Sequence, residues 1–201
     1  MRGARHIAVL AAALATCAAC TGADPAAPST GPNNAAPVTL GSPPPVREPL
    51  DLRPFVGRVC DLLTAEQLVA LGFPQPAEDG FQGFPPLERA EPRCVWDDKD
   101  ERSGQLVVWS HPDTDVLAAD YRADDGEYYE TVREISIDGY PGLLRMAAPE
   151  SRTCKITVGV AAGQGFRVQY QEIRRTGTGI CDLAIIAARG VVANLEPLPP
   201  S

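Results

Sequence analysis

Apolar and polar positions alternate most clearly between Thr153 and Leu195. Cys154, Ile156, Val158 and Val160 interleave with Lys155, Thr157 and Gly159, and Phe166, Val168 and Tyr170 interleave with Arg167, Gln169 and Gln171. Period two predicts half-buried strands, and the glycine-containing link between the two runs predicts a hairpin. Gly163-Gln164-Gly165 is its turn rather than a phosphate loop, because no helix follows it. Cys181 then opens an apolar helix whose core side is Ala184, Ile185, Ala188, Val192 and Leu195. Pro197, Pro199 and Pro200 lie beyond its end.

Earlier in the chain, Thr64 and Gln67 have capping-box spacing, with Leu63 and Leu68 placed as a staple. They start a helix through Leu68 and Leu71 that Gly72 and Pro74 stop. Phe73 to Arg93 has no periodic pattern. Cys94-Val95-Trp96 and Gln105 to Ser110 form a hairpin around a charged turn. Leu106 to Trp109 is apolar at consecutive positions, which predicts a strand buried on both faces. Asp113 is the expected cap of a second helix, with Asp115 favoured by the dipole and Leu117 and Tyr121 on its apolar side. Glu134 to Ile137 and Gly142 to Met146 flank an Asp138-Gly139 turn, a third hairpin. Together these elements predict an α+β fold: a largely antiparallel sheet with helices packed on both faces.

The N-terminus reads differently. Arg2 and Arg5 precede an apolar run from Ile7 to Ala15 that is too short to span a bilayer. Small residues and cysteines follow, in the manner of a bacterial lipobox. Ala19 before Cys20 favours Cys20 as the lipidated residue, with Cys17 as the alternative, and an ordinary secretory peptide is the plainer reading. Residues 1–19 are thus expected to be a lipoprotein signal peptide. Residues 20–54, rich in Pro and Ala, are expected to be a disordered tether. Residues 55–197 are expected to be one domain and 198–201 a tail.

Charge and cysteine count narrow the partners. The 201-residue chain carries a net charge of −8, and without a basic run it is a poor match for nucleic acid. Anionic headgroups would repel it, so attachment to a membrane falls to acyl chains. Four cysteines remain after the signal segment, an even number that in an exported chain reads as two disulfides. Of the three connectivities we favour Cys60–Cys94 with Cys154–Cys181. Each closes a loop of about thirty residues, worth roughly 3–4 kcal/mol in the chain-entropy model. No Cys-x-x-Cys pair points to a metal, and none is expected.

Catalytic chemistry finds few footholds. His111 is read as a loop or end-of-strand residue, and no serine sits in a nucleophile elbow. Asp97, Asp98, Asp100, Asp113, Asp115, Asp120, Asp124, Asp125, Glu127 and Glu130 are read as solvated charged turns rather than a hydrolytic pair. Asp120, Asp124, Asp125 and Gly126 do not have the EF-hand spacing. Trp96 and Trp109 are read as core residues, with stacking on a sugar or lipid as the alternative. Arg174-Arg175 is read as a solvated loop. No catalytic residue and no cofactor is assigned.

Several motifs in order resemble the actinobacterial lipoproteins of domain-of-unknown-function family 3558. They are Cys60-Asp61-Leu62-Leu63-Thr64 with Gly72, Cys94-Val95-Trp96, Ile137 to Gly142, Cys154 to Val158, and Cys181 leading an Ala-rich helix that ends at Asn194-Leu195. Val59 stands where the family tends to have Pro, and Gly179-Ile180 where Asp-Pro often precedes the last cysteine. The resemblance carries no catalytic or binding residues. By looser analogy the element order is similar to the α/β sandwich of photosystem accessory lipoproteins, which are binding modules. The expectation is therefore a non-enzymatic envelope lipoprotein on the extracytoplasmic face of the cell membrane, binding a partner protein or small ligand. The alternatives are a carboxylate-based hydrolase and a purely structural envelope component.

Overall fold

A computed structural model describes residues 40–73, 91–97, 104–123, 129–147, 152–172 and 179–199. The expected lipobox, most of the tether, Arg174-Arg175 and the acidic residues Asp98, Asp100, Asp124, Asp125 and Glu127 lie outside them.

Six strands form one antiparallel sheet: β2 (Arg93–Asp97), β3 (Gly104–His111), β4 (Tyr129–Ile137), β5 (Tyr140–Ala147), β6 (Thr153–Ala161) and β7 (Gln164–Glu172). Their spatial order is β2-β3-β7-β6-β5-β4. The strand pairs of all three expected hairpins are antiparallel neighbours: β2 with β3, β4 with β5 and β6 with β7. Asp138 and Gly139 both take positive φ, 49° and 95°, as a two-residue turn between twisted strands requires. The β6–β7 hairpin turns one step earlier than the apolar pattern suggests. Gln164 already belongs to β7, and its side-chain oxygen accepts a hydrogen bond from the Leu52 backbone N–H at 2.8 Å.

The first helix, α1 (Ala65–Ala70), has the full capping box: Thr64 accepts from the Gln67 N–H, and Gln67 accepts from the Thr64 N–H. At its other end Phe73 N–H bonds Leu68 C=O and Gly72 N–H bonds Val69 C=O, the two bonds of a Schellman stop. The Gln67 side chain also reaches α3 (Ile180–Asn194). It accepts from Asn194 Nδ2 at 2.7 Å and donates to the Gly190 carbonyl at 3.3 Å. Thr64→Ala should therefore cost about 1 kcal/mol in urea-induced unfolding, the usual loss for a cap.

The main core joins Leu62, Leu68, Leu106, Val108, Leu144, Ile156, Val158, Phe166 and Val168 to the inner side of α3. The helix buries Ala184, Ala187, Ala188, Val191 and Val192. Ile185 is only partly buried, and Ala187 and Val191 complete the stripe in its place. Disulfides join Cys154 of β6 to Cys181 of α3, with Cα atoms 5.2 Å apart, and Cys60 to Cys94 of β2, at 5.0 Å. Trp96 lies in this core, and Trp109 is partly buried.

The expected tether boundary at residue 54 is corrected. Leu50–Asp51 forms β1, paired antiparallel with β8 (Glu196–Pro197), and Leu198 N–H bonds the Pro49 carbonyl. Leu50 and Leu52 are buried in the main core, and Leu40 packs on a second cluster of Leu117, Tyr121 and Leu143. These leucines cover apolar surface that only the folded sheet presents, so no local periodicity marks them. The folded chain accordingly starts before residue 55, and β8 with Leu198 extends its C-terminal end.

Candidate functional site: a charged seam between helix and sheet

Helix α2 (Val116–Arg122) starts two residues later than expected. Asp115, not Asp113, is its cap, accepting from Ala118 N–H at 2.9 Å. The helix can approach the sheet closely because β6 and β7 have glycine beneath it. A Cβ on Gly165 would lie 2.7 Å from Val116 Cγ1, and one on Gly159 would lie 3.1 Å from Leu117 Cδ2. That approach carries Asp120 down onto the strands, where its residue is 5% exposed. The reading of Asp120 as a solvated turn carboxylate is therefore overturned.

Three strand residues bond Asp120, and a fourth, Lys155, shares their sheet face. In register, Arg145 of β5 faces Lys155 of β6, and Thr157 of β6 faces Arg167 of β7. Arg167 donates from Nη2 to Asp120 Oδ1 at 2.7 Å and from Nε to Oδ2 at 3.3 Å. Arg145 Nη1 lies 3.3 Å from Oδ1, its Nη2 donates to the Asp120 backbone carbonyl, and the Thr157 hydroxyl donates to Oδ2. Glu91, half exposed, pairs with Arg167 Nη1 at 3.2 Å. Trp109 of β3 stands opposite Arg167, and His111, the last residue of β3, stands opposite Gly165.

The titration of these groups follows from burial and neighbours. Burial alone would raise the Asp120 pKa, but the bonds from Arg167 and Thr157 and the charges of Arg167 and Arg145 outweigh it and hold the carboxyl below its ordinary value. Burial lowers His111, with Glu91 and Asp120 pulling upward and Arg167 and Lys155 downward. His111 is an end-of-strand residue, but a buried one, and its Nε2 has no hydrogen-bond partner among the described residues. Burial also lowers Lys155, and Arg167 adds to the shift while Asp120 opposes it. Lys155 makes no ion pair within 4.0 Å among the described residues.

Of the carboxylates singled out in the sequence, the structure places Asp120 in this seam, Asp115 at the helix cap and Asp97 at an exposed strand end, bonded to Gln105. Arg145, Lys155, Thr157, Arg167 and Glu91 were not singled out. The strand positions of Arg145, Lys155, Thr157 and Arg167 alternate with core residues, which marks them as one face and leaves the helix above it unspecified.

A second concavity of about 470 Å³ lies between Pro44 to Glu48 and the β4–β5 turn, lined in part by Ile135, Asp138, Tyr140 and Pro141. Two of its polar groups are already engaged: Tyr140 OH donates to the Glu48 carbonyl at 2.9 Å, and Asp138 pairs with Arg189 at 3.3 Å. Among the described residues no helix is long and apolar enough to cross a membrane, and no group of three His, Cys, Asp or Glu side chains is placed to hold a metal ion.

The architecture is thus a disulfide-bonded, mostly antiparallel α+β domain with an ion-paired seam on its sheet. The chain belongs to the family described as protein of unknown function DUF3558, whose model matches residues 12–194. No curated protein and no solved structure matches it.

Proposed function

We propose that this protein is an actinobacterial envelope lipoprotein, held at the extracytoplasmic face of the cell membrane by acylation of Cys20, whose domain is a non-enzymatic binding module. Cys17 is the alternative lipid site. The lipobox pattern and the pairing of the four downstream cysteines in disulfides support export. The sheet is inferred to carry helices on both faces, α3 over Cys154, Ile156 and Val158, and α2 over Thr157 and Gly159, since side chains alternate along β6. One observation carries the binding reading: Lys155 lies partly buried beside two arginines that are both committed to Asp120. The hydrolase reading is weaker, because a general acid needs a raised pKa, whereas Asp120 is lowered and bonded on both oxygens.

Metabolic labelling with a fatty acid tests the anchor. Wild type should incorporate label and Cys20→Ala should lose it; label retained in Cys20→Ala would move the site to Cys17. Cross-linking in the native envelope tests the binding role. A specific captured protein or ligand supports it, and hydrolysis of an envelope substrate that is lost in Asp120→Asn would favour the enzyme instead.

A further inference from the structure

Directly opposed residues on a sheet face have Cβ atoms about 4.5–5.5 Å apart, and like charges so placed destabilise the pair. Arg145 and Lys155 are directly opposed. Arg167 stands diagonal to Lys155, opposite its neighbour Thr157. Three cations therefore crowd one corner of the face. Asp120 pairs with two of them, and Glu91 adds a second contact to Arg167. Lys155 is the cation left over, partly buried in an acidic chain. His111 lies on the same face, two residues along β3 from the residue that faces Arg167, with a buried Nε2 that has no partner among the described residues. With its proton on that nitrogen it is a donor without an acceptor. An isolated pair network holding α2 would need neither group. Lys155 supplies the partly desolvated positive charge that an oxyanion requires, and His111 offers a neutral N–H donor on the far side of Arg167.

We propose that Lys155, with Arg167 diagonal to it, binds the oxyanion of a ligand, a phosphate or carboxylate group that completes the charge balance of the seam. This rests on the binding-module reading and names the ligand chemistry for it. The bound anion relieves the repulsion that Lys155 carries in the free domain, so its affinity falls as salt rises.

The test titrates the full processed protein with sodium orthophosphate, with acetate, and with vesicles of phosphatidylglycerol against vesicles of phosphatidylcholine. Binding is read by calorimetry and by the fluorescence of Trp109, after Trp96→Phe leaves it as the reporter. Saturable binding of at least one anionic probe is expected. Lys155→Met should weaken it at least about tenfold, the scale of one charge-assisted hydrogen bond, and Lys155→Arg should keep it. Orthophosphate binding marks a free phosphate, response to phosphatidylglycerol alone marks a lipid headgroup, and acetate alone marks a carboxylate. Lys155→Met should also melt at or above the wild-type temperature, because it removes repulsion rather than a structural bond. No saturable binding of any probe overturns the proposal, as does undiminished binding in a folded Lys155→Met. If envelope cross-linking still captures a partner in that case, the binding module stands and only its anion chemistry falls.

Discussion

Asp120→Ala is expected to destabilise the domain by about 3–5 kcal/mol, the usual cost of removing one partner from a buried ion-pair network. The loss would leave Arg145, 2% exposed, and the mostly buried Arg167 without their shared carboxylate. It would also break the Arg145, Arg167 and Thr157 bonds that hold α2 to β5, β6 and β7. Equilibrium urea unfolding measures the effect, and a change under 1 kcal/mol would contradict a fastening role for the seam. Asp120→Asn keeps the shape and one acceptor oxygen, so it should lose less.

The same group gives a pH signature. The Asp120 carboxyl is held below its ordinary value of 3.8 in the folded state. Its contribution is thus fully present above 3.8 and is lost as pH falls through the folded value. His111 has a second window. The folded state resists its protonation, so the unfolded chain binds the extra proton first once pH drops below 6.5. Stability should decline in two stages on acidification, and Asp120→Asn should remove most of the lower one. A single stage in wild type would show that His111 titrates freely.

The other large effect belongs to the disulfide between sheet and final helix. Cys181→Ser is expected to cost about 3–4 kcal/mol, as the chain-entropy model gives for a loop of this length. The bond joins residues 27 apart in sequence and fixes α3, which supplies one side of the main core. Differential scanning calorimetry should show a fall of roughly 10 °C, at a few degrees per kcal/mol for a domain of this size. Limited proteolysis should open α3 first. Cys60→Ser should cost less. Its bond ties a short 3-10 turn, Val59–Leu62, to the edge strand β2, which can open locally without unfolding the sheet. If Cys60→Ser proves the more damaging, α3 is not the element on which the core depends.

What the sequence disclosed divides along the distance over which each signal acts. The capping box at Thr64 and Gln67, the stop at Gly72 and the Asp138-Gly139 turn are local, and the structure has all of them. Of the consecutive apolar residues Leu106 to Trp109, the first three are buried, as their lack of alternation implies, while Trp109 is only partly buried. The seam was hidden for the opposite reason. Lys155 and Arg167 look like ordinary outward positions of half-buried strands, and Asp120 sits among other acids near a helix end. Only the descent of α2 onto Gly159 and Gly165 distinguishes it from them. Leu50 and Leu52 were hidden too, because their covering role depends on β8, near the opposite end of the folded chain.

The bond from Leu198 N–H to the Pro49 carbonyl brings the beginning and end of the described domain into contact, with β1 and β8 side by side. Its connectivity is therefore almost a closed ring, broken at one place. A few added residues could join those ends, and new termini could be opened at the Asp138-Gly139 turn, giving a circularly permuted domain with the same strand order. In the native arrangement a reporter fused after the last strand would emerge next to β1.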